Sequence, residues 1–425
     1  MQSHQKTEFH LDNSRDYSLL FPELQPLSVS DQDLITMATR MKEWTDCLDS
    51  KVHTNGDAIF GQFLAHDITF EITSRFRGHN NLAKAENNRS ILLDLDSLYG
   101  QWTEDFLYDA TDKNKLLLGE CISKPPFEWW DLQRNAQGKA IIPDARNDEN
   151  IIVAAMQVLF IQFHNAMVER LRDDLKKYSV YQEARQVVTW HYQWITIHHY
   201  LKKLMEPEIF QDLWENGPRY YTCPDFLPLE FSGAAFRMGH SQTREDNWIN
   251  EEVCKGIFEL GSFGAISEYV DWHYFFDFGD NKVQPAKKID TKIAPAFLDI
   301  PFIKSDDWFE RSLPYRNLKR GKIYGLPSGE SVAHRLGIVP IEVPLTQECQ
   351  LEGTPLWFYM LYESEYLHEG ERMGPVGSRI LGEVFFGIMR NHDQSFLKVH
   401  PLWRPHLGRN EGDFDFVDMV NFACS

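Results

Sequence analysis

Positive charge is scarce in this 425-residue chain, in which 43 Lys and Arg stand against 63 Asp and Glu, a net charge of −20. This balance argues against nonspecific binding to nucleic acid or to an anionic membrane surface. We see no apolar run long enough to span a bilayer, and the start MQSHQKTEFHLDNSRDYS has no signal-peptide core. We therefore expect a cytoplasmic protein without a transmembrane segment or a nucleic-acid partner.

Cysteines are also few, and the six of them are scattered without the spacing of a metal site. Reduced, mostly buried thiols in a cytoplasmic protein are the favoured interpretation. The chain has no internal repeat of solenoid period and no low-complexity tract. A hydrophobic content of 43% and an aromatic content of 13% instead describe a folded globular protein with a large core.

Helical periodicity dominates the pattern of apolar residues. A helix is predicted over about 148–175, where apolar residues recur every three or four positions: Ile152, Met156, Leu159, Phe163, Met167 and Leu171. Further helices are predicted after Ser30, over 181–205 and over 376–392, whereas 271–330 is predicted to be irregular. We predict a mainly α protein with few strands: an arm over 1–17 and one large domain over 18–425.

Four segments carry candidate chemistry. On a helix, Gln62 and His66 stand at i and i+4 and share one face. In the stretch 90–97, oxygen-bearing side chains at alternate positions could serve a Ca²⁺ ion, although spacing alone favours a solvated acidic turn. Arg146 and Glu149 are either pocket residues or a surface ion pair. His240 ends a predicted helix whose small residues permit the close approach of something flat.

Together these motifs resemble the animal-type haem peroxidase family, also called the peroxidase–cyclooxygenase superfamily, and its short bacterial members in particular. The resemblance runs from about residue 18 to the C-terminus. The stretches that carry it are NNRSILLDLDSLYG, ARQVVTWHYQWI, PLEFSGAAFRMGH, RNLKRGKIYGLPSG and TPLWFYM.

The resemblance implies roles for individual residues. The predicted catalytic residues are the distal His66, its pocket neighbour Gln62 and the catalytic Arg146. The predicted cofactor-binding residues are the proximal iron ligand His240, its hydrogen-bond partner Asn317, Glu149, Arg237 and Arg320. The predicted calcium ligands are Asp67, Ser90, Leu92 through its carbonyl, Asp94 and Asp96. This correspondence replaces the acidic turn as the interpretation of 90–97.

The implied activity is that of a haem b peroxidase that responds to oxidative stress. Hydrogen peroxide forms a ferryl haem, which then oxidises a small organic or halide substrate. Two alternatives stay open: a haem oxygenase or dioxygenase acting on a lipid or biosynthetic intermediate, and a non-catalytic haem- and calcium-binding interaction protein.

The chain departs from the family at three positions. Ala65 stands where many members have an aspartate that forms an ester with haem, and Asn150 excludes a sulfonium link through methionine. Glu149 retains the second ester position, so haem is held either by one ester or only by His240 and packing. Arg237 stands where cyclooxygenase-type members carry the radical tyrosine, which argues against that route of oxygenation.

Overall fold

The computed structural model describes residues 17–42, 48–69, 87, 89–100, 107–122, 129–174, 180–261, 264–266 and 268–424. Most of the predicted arm therefore lies outside the described residues, and Tyr17 already belongs to the first strand. The α-helices are α1 (Asp31–Arg40), α2 (Asn55–Ile68), α3 (Asp96–Tyr99), α4 (Ile151–Asp174), α5 (Val180–Trp194), α6 (Lys202–Leu204), α7 (Pro207–Asn216), α8 (Leu229–Gly233), α9 (Gly239–Gln242), α10 (Trp308–Arg311), α11 (Leu313–Ile323), α12 (Gly329–Leu336), α13 (Pro344–Glu348), α14 (Leu356–His368), α15 (Pro375–Asn391), α16 (Phe396–Val399) and α17 (Phe416–Ala423).

The strands are short and form three two-stranded sheets. Their bounds are β1 (Tyr17–Ser18), β2 (Asp49–Thr54), β3 (Leu227–Pro228), β4 (Asp246–Trp248), β5 (Cys254–Gly256) and β6 (Pro285–Lys287). Strand β1 pairs in parallel with β3, whereas β2 with β6 and β4 with β5 are antiparallel. The predicted mainly α class with few strands is confirmed.

Two early helices begin at capping boxes. At the start of α1 the Ser30 side chain accepts from the Asp33 backbone N–H, and the Asp33 side chain accepts from the Ser30 N–H. Thr54 and Asp57 repeat the arrangement at the start of α2. These reciprocal bonds satisfy N–H groups that a helix start otherwise leaves unpaired. The predicted helix start at Ser30 is confirmed.

Helix α4 lies at the centre of the core and packs against α2, α5 and α17. Five of the six predicted stripe residues are buried, and Leu171 packs against the core while partly buried. Within this helix, Ile151–Arg172 is long and apolar enough to cross a membrane, and 78% of its most apolar window is buried inside the protein. The expectation that no such run exists is therefore wrong, and packing in the core accounts for the apolar character.

Two predicted boundaries are also wrong. The single helix predicted to end at His240 is instead divided into α8, a 3₁₀ turn at Ala235–Arg237 and α9, because the backbone leaves helical geometry at Ala234 (φ −136°, ψ −69°). The supposedly irregular stretch 271–330 contains α10 and α11. A proline in the first turn of α11 is compatible with a helix because its missing N–H has no intrahelical partner there.

Candidate functional site

The last turn of α2 presents Gln62 and His66 on one face, as their spacing predicts. The Gln62 Nε2 donates to Oε1 of Glu149, and the same oxygen lies 3.7 Å from Nε2 of His66. Phe63 fixes the orientation of this turn, because its ring stacks on Phe160 of α4 at a centroid distance of 4.9 Å. Burial, and then the charge of Arg146, lower the pKa of His66 to about 4, so its imidazole is neutral near pH 7.

Arg146 lies beside His66, held by a carboxylate that the motif analysis missed. Its guanidinium donates to the His66 carbonyl at 2.9 Å and to both oxygens of Asp144 at 3.1 and 2.6 Å. The Nε of Arg89 lies 3.0 Å from the same carboxylate. Asp144 is 1% exposed, so this is a buried carboxylate between two cations. It determines where the Arg146 charge sits relative to His66.

The Glu149 carboxyl closes this group of side chains. About a third of its side chain (34%) is accessible, yet burial of the carboxyl raises its pKa to about 7. The Arg146 charge acts in the opposite direction and is outweighed. Glu149 is therefore present in both protonation states near neutral pH, within reach of Gln62 and His66.

Two buried amides support His66 from the other side. The Asn147 Oδ1 lies 2.8 Å from His66 Nδ1, and the Asn147 Nδ2 donates to Gln157 Oε1 at 2.8 Å. The Gln157 Nε2 in turn donates to the Ser97 carbonyl at 3.4 Å. Asn147 directly follows Arg146 in the chain, which is the only sequence signal that could have singled it out. Nothing in the sequence pattern of α4 distinguishes Gln157.

The five predicted calcium ligands come together next to this group. Carboxylate oxygens of Asp67, Asp94 and Asp96 lie within 4.8 Å of one another. The Ser90 Oγ donates to Asp94 Oδ1 at 2.8 Å and lies 3.5 Å from the Leu92 carbonyl.

Burial and the neighbouring Asp94 charge raise the pKa of Asp67 and of Asp96. Three mutually repelling carboxylates with a hydroxyl and a carbonyl form an all-oxygen donor set, which is the type that Ca²⁺ prefers. This donor set fits a calcium ion.

The proximal candidate His240 lies at the start of α9, and α9 packs against α2. The side-chain amide of Asn317 contacts its Nδ1 at 2.7 Å, and the Asn317 Oδ1 accepts from Arg320 at 3.0 Å. Burial, and then the charges of Arg237 and Arg320, lower the pKa of His240 to about 3. His240 is thus a neutral imidazole, which is the form in which histidine binds iron. Two cations lie nearby.

The space around His240 fits a haem group. Within the described residues no hydrogen bond reaches its Nε2, and a Cβ added at Gly239 meets no heavy atom within 4 Å. Arg237 and Arg320 supply positive charge for haem carboxylates. With Asn317 Nδ2 facing it, Nδ1 accepts, so the neutral ring carries its proton on Nε2. A ring that binds iron through Nε2 would carry its proton on Nδ1, and Asn317 would then have to present Oδ1 to it and give up the bond from Arg320.

Comparison with known proteins finds a family match over part of the chain. Residues 93–258 match the family described as animal haem peroxidase. Chorion peroxidase of Drosophila melanogaster is 25% identical over 269 residues, which cover 57% of this chain and 33% of that protein. The chain spans a third or less of the length of the first curated relatives that it matches.

Solved structures share the fold over most of the chain. Peroxidase A from Dictyostelium discoideum aligns with a TM-score of 0.68 and 15% identity, covering 96% of this chain and 93% of that one. Fatty acid alpha-dioxygenase of Arabidopsis thaliana aligns with a TM-score of 0.59 and 16% identity, covering 86% and 71%. The chain thus shares the fold of these peroxidase and dioxygenase structures, and its residues 93–258 match the animal haem peroxidase family.

Proposed function

We propose that this protein is a haem-dependent peroxidase that uses hydrogen peroxide to oxidise a small organic or halide substrate. The observation that carries the proposal is the pairing of two neutral imidazoles on packed helices. His66 lies on α2, beside the Arg146 guanidinium. His240 lies on α9, which packs against α2, and within the described residues no hydrogen bond reaches its Nε2.

The proximal residues bind the cofactor. His240 would hold the haem iron through Nε2, Asn317 would orient that imidazole, and Arg237 and Arg320 would meet the haem carboxylates. When bound, haem supplies the redox centre at which peroxide is reduced and from which the substrate is oxidised. Ala65 offers no carboxylate, so at most one ester to haem can form, through Glu149.

The distal residues handle the proton and the charge. With haem bound, neutral His66 would accept a proton from the peroxide and return it to the departing oxygen. Arg146 remains cationic and stabilises negative charge as the O–O bond breaks. Asp144 keeps that guanidinium next to His66, and Gln62 fixes the neighbouring Glu149 carboxylate.

A calcium ion would be held by the cluster of Asp67, Ser90, Leu92, Asp94 and Asp96. Asp67 directly follows His66 and is fully buried. Its carboxylate accepts from the backbone N–H of Leu95, a residue with a left-handed φ of 58° that is unfavourable for a leucine. A cation there would neutralise the repulsion between carboxylates and stabilise the turn that carries His66.

Oxygenation of a lipid is the second candidate function, because fatty acid alpha-dioxygenases share this fold. The position of Arg237 favours the peroxidase. The two activities differ in their requirement: an oxygenase consumes O₂ and incorporates it into product, whereas a peroxidase needs only peroxide and a reductant.

Stopped-flow spectroscopy of the haem-loaded protein tests the proposal. The Soret band is expected to shift when peroxide is added, and His66→Ala or Arg146→Ala is expected to slow the shift by about 10²–10⁴-fold. His164→Ala is a matched control, because His164 is also buried with its pKa lowered to about 4 but contacts Tyr99 and the Asn114 carbonyl instead. Equal rates in wild type, His66→Ala and Arg146→Ala would refute the assigned roles.

A further inference from the structure

The hydrogen bonds around His66 have a direction, and that direction is set by residues to which the family resemblance assigns no role. His66, Asn147 and Gln157 are 7%, 0% and 0% exposed, so water does not compete for these bonds. These bonds form a row that runs from His66 through Asn147 and Gln157 to the backbone carbonyl of Ser97. The backbone N–H and Oγ of Ser97 donate to Asp67 Oδ1 at 3.3 and 3.0 Å, which holds this carbonyl in place.

Each bond in the row follows from the one before it. A carbonyl oxygen can only accept, so the Gln157 amide must turn its Nε2 toward Ser97 and its Oε1 toward Asn147. Asn147 must then direct its Nδ2 to Gln157 and its Oδ1 to His66. An amide oxygen facing Nδ1 requires a proton on Nδ1, which leaves the lone pair of the neutral ring on Nε2.

We propose that Asn147 is a positioning residue whose Oδ1 holds the proton of the His66 ring on Nδ1, so that Nε2 is the nitrogen that can present a lone pair. Ser97 sets the direction of this bond through Gln157. The inference rests on the proposed function, since a base that takes a peroxide proton at Nε2 must present a lone pair there.

The groups facing Nε2 do not select this tautomer by themselves. The Glu149 Oε1 lies 3.7 Å from Nε2, beyond hydrogen-bond distance, so it fixes neither a proton nor a lone pair on that nitrogen. The Arg146 guanidinium donates to the His66 backbone carbonyl and to Asp144, whereas Asn147 contacts the ring itself at Nδ1. The Asn147 contact is therefore the interaction that distinguishes the two nitrogens.

Nitrogen-15 NMR of the histidine-labelled full chain without haem tests the tautomer, because a ring nitrogen that bears a proton and one that does not have well-separated shifts. The His66 signals are assigned from the spectrum of His66→Gln. Wild type is expected to show the proton on Nδ1, Asn147→Ala a mixture of both tautomers, and Asn147→Asp the wild-type pattern because a carboxylate still accepts from Nδ1–H. Asn165→Ala is the control: its amide pairs with the Leu116 backbone, and the His66 signals are expected to be unchanged.

The rate of the peroxide reaction in the haem-loaded proteins is the second readout. Asn147→Ala is expected to lose about 10–100-fold, and Asn147→Asp to recover most of that loss. A wild-type His66 with its proton on Nε2, or an unchanged tautomer in Asn147→Ala, would overturn the inference. If Asn147→Ala does not fold, the wild-type and Asn147→Asp spectra still decide it. If the tautomers behave as expected while haem-loaded wild type ignores peroxide, the proposed peroxidase function fails and the assignment of Asn147 stands.

Discussion

Replacing Asp144 by asparagine tests how strongly the distal cations depend on one buried carboxylate. Asp144 accepts from the Arg146 backbone at 2.9 Å, from the Arg146 guanidinium at 3.1 and 2.6 Å, and lies 3.0 Å from Arg89 Nε. An asparagine side chain has nearly the same shape as an aspartate but carries no charge and offers only one accepting oxygen. The substitution therefore removes the carboxylate that Arg146 and Arg89 share, while Arg89 keeps its ion pair with Asp96 at 3.6 Å.

The expected cost follows from how far each partner is buried. Removing one partner of a buried ion pair costs about 3–5 kcal/mol, because the remaining charge is left uncompensated. The side chains of Arg146 and Arg89 are 28% and 13% exposed, so water partly solvates them. We therefore expect the lower end of the range, about 3 kcal/mol of unfolding free energy.

Urea unfolding at pH 7 measures this cost as a lower midpoint with an unchanged slope. Asp31→Asn is the control, because Asp31 also pairs with two cations, Lys319 and Lys322, but is 48% exposed. A surface pair of this kind is worth about 0–1 kcal/mol. A cost for Asp144→Asn no larger than that of the control would refute the argument that this ion cluster is buried and mutually dependent.

The effect of Asp144→Asn should also depend on pH. Burial by itself raises the pKa of Asp144, but the hydrogen bonds from Arg146 and the charges of Arg146 and Arg89 outweigh it, so the folded-state pKa lies below the ordinary value. Stability from such a group is present above the unfolded pKa of about 3.9 and is lost as pH falls through the folded pKa. The difference between wild type and variant should thus be full at pH 6–7, and shrink in acid.

Three further results are expected. Burial raises the pKa of Asp67 to about 7. Without a cation, the contribution of the Asp67 carboxyl to stability is therefore present below about pH 4 and lost as pH rises toward 7. Thermal unfolding in EDTA should show this decline, and added Ca²⁺ should remove it. Mass spectrometry of the denatured haem-loaded protein should show at most one haem bond, absent in Glu149→Gln; two bonds would contradict the role of Ala65. Phe63→Ala should cost about 3–5 kcal/mol in urea unfolding, because a fully buried ring stacked on Phe160 leaves a cavity; a cost below 1 kcal/mol would contradict that packing.

Some features of the site were predictable from local pattern. The shared face of Gln62 and His66 follows from helical spacing, and both do reach Glu149. The meeting of Asp67 with the loop 90–96 could not be derived from spacing, which favoured a solvated turn, and came instead from family resemblance. Asn317 was predicted to lie in an irregular region, because the stretch 271–330 is rich in proline and glycine. It lies in the eleven-residue helix α11, which tolerates a proline in its first turn.

The sequence by itself determined the helix start at Ser30, the shared face of Gln62 and His66 and the buried stripe of α4, because these depend on interactions between residues close in the chain. Only the tertiary structure decided that Asp144 holds Arg146 against His66 and that Asn147 and Gln157 connect His66 to Ser97. The bonds from His66 to Asn147 and Arg146, and from Gln157 to Ser97, join residues 60 to 81 positions apart. Their partners and directions depend on how α2, α3, α4 and the turn before α4 pack, which no local spacing encodes.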